Sequence, residues 1–101
     1  MTCLPSKTTL TKYGMSLHDW LIIMEAQSGV CPICGNYMKR PVIDHEHVAG
    51  WKKMPPEERK KYVRGVTDWL CNHRVLTRGM NVQRAKNLVM YLENYQQKSK
   101  R

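Results

Sequence analysis

Apolar side chains recur at helical spacing in two stretches of the chain and at strand-like spacing in two others. Leu17, Trp20, Leu21 and Met24 fall at i, i+3, i+4 and i+7, so they share one face of a predicted helix. Ser16 caps its start, with Asp19 three residues on completing an imperfect capping box, and Gly29 ends it. A longer helix is predicted over about 81–97, where Val82, Ala85, Leu88, Val89 and Leu92, with Tyr95 behind, form an apolar face. Pro41-Val42-Ile43-Asp44-His45 reads as a short strand, and Tyr62-Val63-Arg64-Gly65-Val66 as a second strand returning antiparallel to it. Between the strands lies a polar excursion, 48–61, in which Pro55-Pro56-Glu57-Glu58 is suited to open one helical turn. A short helix over about 68–76 precedes a break at Gly79. Residues 1–15 are polar, without a period, and read as an N-terminal arm, mobile or loosely docked as a lead-in; 98–101 form a basic tail. The prediction is a single α+β domain over 16–97.

Composition narrows the partners. The chain has 101 residues, room for only a modest core, and 17 Lys and Arg against 8 Asp and Glu give a formal net charge of +9. An excess of that size suits a polyanion such as DNA, because each neutralised phosphate releases counterions. The longest apolar stretch, around Trp20 to Met24, is too short to cross a bilayer, and no secretion signal is legible over 1–12. The expected location is intracellular, the host cytoplasm if the gene is phage-borne. In such a reducing compartment the four cysteines point to metal chemistry more than to disulfides.

Cys31-Pro32-Ile33-Cys34-Gly35 sets two thiols on one tight turn, half of a tetrahedral zinc site. Cys71 is the obvious third ligand. Asp68 repeats the ligand-x-x-ligand spacing before Cys71 and is the preferred fourth, with His73 and Cys3 as competitors. A second cluster, Asp44-His45-Glu46-His47, gathers titratable groups at a strand end. Phosphodiester hydrolysis needs a base for water, a cation to bear developing charge and groups to hold the phosphate. His45 is the candidate base. Asp44 is a candidate ligand for Mg²⁺ or Mn²⁺, which prefer oxygen donors. Asn72, directly after Cys71, is a candidate second ligand or an orienter of His45. Arg64, Lys52, Lys53, Lys60 and Lys61 are candidates to hold flanking phosphates.

Cys31-x-x-Cys34, Asp44-His45-Glu46-His47, Val63-Arg64-Gly65 and Leu70-Cys71-Asn72, in that order, resemble the phage recombination endonuclease VII family, a branch of the His-Asn-His nucleases with a ββα-metal core. The run Tyr13-Gly14 through Gln27-Ser28-Gly29-Val30-Cys31 is similar too, and the likeness covers roughly 13–79. The resemblance implies a zinc-stapled ββα-metal (His-Me finger) core flanked by helices. It implies structural zinc on Cys31, Cys34 and Cys71, and a catalytic Mg²⁺ or Mn²⁺ on Asp44 and Asn72. It makes His45 the general base and gives His47 a part in holding phosphate or metal. Asp68 stands where the family has the first Cys of its second knuckle. Within that reading a resolvase of branched DNA such as a Holliday junction, which needs two active sites and hence a symmetric homodimer, competes with a nonspecific nickase. The rivals are a zinc-knuckle binding module that grips nucleic acid without cutting, and an accessory subunit of a DNA-processing complex. The binding module gives no reason for Asp44, His45, His47 and Asn72 to occur together, whereas the accessory subunit would carry them as vestigial chemistry.

Overall fold

A computed structural model describes residues 4–99, so Cys3 lies outside the described residues. The elements run α1 (Lys7–Lys12), α2 (Leu17–Ala26), β1 (Pro41–His45), α3 (Pro56–Arg59), β2 (Val63–Asp68), α4 (Trp69–Arg74) and α5 (Val82–Ser99). This is an α+β chain with one two-stranded antiparallel sheet. No helix among the described residues is long and apolar enough to cross a membrane.

The segment expected to be a polar arm is built into the domain instead. Ser6 caps α1 by accepting from the Thr9 N–H, and Leu10 and Met15 are both 7% exposed in the core. A six-residue helix with one apolar position carries no period, so tertiary burial rather than propensity holds it. Gly14 follows, with φ +68°, and a Cβ there would run into the Pro56 carbonyl. The N-terminal segment and α3 thus meet at a point where only glycine fits.

In α2 the capping box is complete: Ser16 accepts from the Asp19 N–H, and the Asp19 carboxylate accepts from the Ser16 N–H. Of its predicted apolar face only part is inward. Trp20 is 1% exposed and Ile23 and Met24 pack on the core, whereas Leu17 and Leu21 stay nearly half exposed. Trp20, Leu10, Met15, Cys31, Met38, Ile43 and Val66 form the core cluster, with one thiol of the cysteine knuckle inside it.

The strands pair as expected, but β2 runs further than predicted, through Thr67 and Asp68, with Pro41 opposite Asp68. Asp44 faces Gly65 and His45 faces Val63, so Arg64 is the extra residue of a bulge. A bulge bends the strand and re-aims the side chain at the inserted position. Here Arg64 meets Asp44, two residues that simple alternation does not pair. α5 spans one residue short of the predicted start and two past the predicted end. Its apolar positions are not buried in the chain: Val82, Leu88, Val89 and Leu92 are 46–71% exposed.

Candidate active site and metal knuckle

The thiols of Cys31, Cys34 and Cys71 lie within 4.8 Å of one another. The turn places the first two: the Gly35 N–H donates to the Cys31 carbonyl, and the Cys31 N–H to Asn36. Cys71 arrives on α4, which packs across both strands. Burial raises the Cys31 thiol pKa, yet N–H groups of Asp68, Cys34 and Ile33 outweigh it and leave the group below its ordinary value. Burial and hydrogen bonds to the other two thiols push Cys71 up to about 11. Three sulfurs this close could bind a thiophilic metal such as zinc.

Asp68 joins the knuckle differently from the expectation. Its N–H donates to Cys31 Sγ at 3.3 Å, while its carboxylate accepts from the Arg40 N–H at 3.0 Å. The reason is its seat at the end of β2, where the side chain closes the strand pair rather than turning to the sulfurs. His73 is also engaged elsewhere, stacked on Trp69 with Nδ1 2.9 Å from the Trp69 carbonyl. Among the described residues the cluster is therefore the three cysteines.

His45 ends β1 and borders a cleft of about 700 Å³. His47, Tyr13 and Trp51 line the same cleft, together with Lys12, Lys52, Lys53 and Arg78. The His45 ring stacks on Trp51 at 4.3 Å and on His47 at 5.0 Å, and Tyr13 tilts against it at 5.4 Å. Burial holds the His45 pKa below its ordinary 6.5, the neighbouring His47 lowers it further, and the Asp44 charge opposes both. A neutral imidazole can accept a proton. The walls give it an aromatic, cationic setting.

Asp44 sits behind this cleft, 4% exposed, with both oxygens taken by Arg64 at 2.8 and 2.9 Å. That bond raises the Arg64 pKa. Asn72, on α4, lines a different cavity with Arg40, Ile43, Trp69 and His73, and only Tyr13 borders both. The donor chemistry of Asp44 and Asn72 suits a hard cation. In this arrangement, however, the carboxylate belongs to Arg64, and Asn72 opens onto a separate space from His45.

Of the expected phosphate-holding lysines, Lys52 and Lys53 stand on the cleft wall. Lys60 does not; it pairs with Asp19 at 3.1 Å. Lys61 is exposed and outside the cleft lining. The structure adds residues the sequence did not single out. Lys12 and Arg78 come to the cleft from α1 and the turn after α4, and no local spacing announces them. Gln27 docks on β2 as a strand would: its amide donates to the Val66 carbonyl at 2.7 Å and accepts from the Val66 N–H at 3.1 Å. A Cβ on Gly65 would lie 2.8 Å from Gln27 Oε1, which accounts for the glycine in Val63-Arg64-Gly65.

Compared with known proteins, residues 6–94 match the family model described as recombination endonuclease VII. No curated protein and no solved structure gives a match.

Proposed function

The chain belongs to the recombination endonuclease VII family, and from that membership we propose that it is a DNA endonuclease hydrolysing phosphodiester bonds at the cleft of His45. The observation that carries this reading is a partly buried imidazole, held toward its neutral form, in a cleft walled by Lys12, Lys52, Lys53 and Arg78. His45 takes a proton from water as the oxygen attacks phosphorus in line, leaving 5′-phosphate and 3′-hydroxyl ends. The lysines and Arg78 hold the flanking phosphates, and His47, stacked on His45, lies within reach of the same phosphate.

A divalent cation such as Mg²⁺ or Mn²⁺ would be held by Asp44 and Asn72 only once Arg64 released the carboxylate and Asn72 turned toward it, and would then supply Lewis-acid stabilisation of the developing charge. Arg64 then has a second partner to hand, since the guanidinium that pairs Asp44 is also suited to a DNA phosphate. Cys31, Cys34 and Cys71 hold a structural zinc whose fourth donor is Asp68, after its carboxylate leaves Arg40, or a ligand from solvent. The exposed apolar face of α5 supports a homodimer, which would give a branched substrate such as a Holliday junction two cutting sites.

The test is incubation of the purified protein with supercoiled plasmid and a synthetic four-way junction in Mg²⁺, in Mn²⁺ and in EDTA, beside His45→Ala. Metal-dependent cutting that is lost in the variant is the expected result, with the junction cut preferentially. Salt-sensitive binding with no cutting of either substrate would instead establish a binding module.

A further inference from the structure

The reading of His45 as base leaves open what aims its ring. Bases of this kind are commonly oriented by a hydrogen bond from the far nitrogen to a carboxylate or carbonyl. Among the described residues no hydrogen bond reaches the His45 imidazole; its contacts are with rings. The nearest and most nearly parallel is Trp51, at 4.3 Å and 20°.

Trp51 is itself fixed. It is 9% exposed and opens a 3₁₀ turn, Trp51–Lys53, in the excursion between the strands. Arg59 closes over it, its guanidinium carbon 4.6 Å from the ring centroid. The same guanidinium donates to three carbonyls: Trp51 at 3.2 Å, Lys52 at 2.8 Å and Lys12 at 3.0 Å. A planar fork that satisfies three acceptors from two separate segments has little freedom left. The imidazole therefore rests against a clamped surface, although its own strand has ended and no ring nitrogen is tied.

We propose that Trp51, braced by Arg59, is the positioning residue that sets the orientation of the His45 base. The inference rests on the hydrolytic reading of His45 and adds to it residues of the 48–61 excursion. Misplacement of a reacting group by an ångström costs on the order of 10²-fold in rate. Among the described residues the buried indole N–H has no hydrogen-bond partner, so phenylalanine at this position forfeits no bond made there while keeping an aromatic face.

The experiment compares Trp51→Leu, Trp51→Phe and Arg59→Ala with the unaltered protein by steady-state plasmid nicking in Mg²⁺ and by NMR of the His45 ring protons. In Trp51→Leu, kcat should fall on the order of 10- to 100-fold with KM unmoved. In the same variant the His45 ring-proton resonances should move downfield as the indole ring current is removed. Trp51→Phe should recover most of the kcat. Full kcat in Trp51→Leu would overturn the proposal. So would a raised KM at full kcat, which would make Trp51 a surface for the substrate. If Trp51→Leu does not fold, Arg59→Ala decides: a lower kcat with shifted His45 resonances supports the proposal, and both unchanged overturn it. Full cutting by His45→Ala would remove the base assignment itself, a failure distinct from any result of the Trp51 series.

Discussion

On the proposed reading, what would make His45 a working base is its neighbours: burial and His47 hold its pKa below the ordinary value. Lys12, Lys52, Lys53 and Arg78 on the cleft wall would meet the charge of a dianionic transition state. His45→Ala should lower the nicking rate by about 10²- to 10⁴-fold with circular dichroism and zinc content unchanged, since the ring ligates no structural metal. Arg64 pairs with Asp44 and, on the proposed reading, also holds a DNA phosphate. Arg64→Ala should reduce the slope of log binding constant against log salt by about one, and should also lower the melting temperature, because Asp44 is left buried and unpaired. Asp44→Asn/Arg64→Ala together should recover part of that thermal loss without restoring cutting. Gly65 offers a cleaner test of packing. Gly65→Ala should cost about 1–3 kcal/mol by driving a methyl toward Gln27 Oε1. The cost should shrink in the Gln27→Ala background, a non-additivity that a double-mutant cycle of urea unfolding would register.

At the level of elements, the capping box of α2 is sensitive to acid. The Ser16 N–H, then Lys60, hold the Asp19 carboxyl below its ordinary 3.8. A depressed carboxyl stabilises the folded state fully above the unfolded value, and that contribution is lost as pH falls through the folded one. The melting temperatures of the unaltered protein and Asp19→Asn should therefore differ at neutral pH and converge below 3.8, as scanning calorimetry would show. Elements with a period were legible in the sequence: α2, α5 and the antiparallel pair lie within two or three residues of where the apolar spacing puts them. Asp44, His45 and the three cysteines announced themselves by chemistry and spacing. α1 did not, because one buried Leu10 in six residues is no pattern. Trp51, Arg59 and Lys12 did not either, since their contacts join segments far apart in the chain and a lone Trp in a polar stretch carries no local signal. The outward face of α5 was legible as apolar; that the chain itself does not cover it was not, because periodicity reports a face and not its partner.

At the scale of the whole molecule, the cysteine knuckle and the core are one object. Cys31, fully buried, belongs to both the thiol cluster and the apolar cluster with Trp20 and Val66, and Cys71 packs against that cluster from α4. With so few buried side chains, a metal held on these thiols would contribute directly to the folding free energy. Stripping zinc with a strong chelator should abolish the cooperative thermal transition and most of the native circular dichroism, and restored zinc should return both. A retained sharp transition after verified metal loss would show that the apolar core suffices alone. The bond from Arg59 to the Lys12 carbonyl has a practical bearing for protein engineering. Residues 4–15 lack a period in the sequence, yet they hold a wall of the cleft and the acceptor that helps clamp Trp51. A trimmed version beginning at Ser16 loses Leu10 and Met15 from the core cluster, so it should melt at a lower temperature as well as lose its cutting.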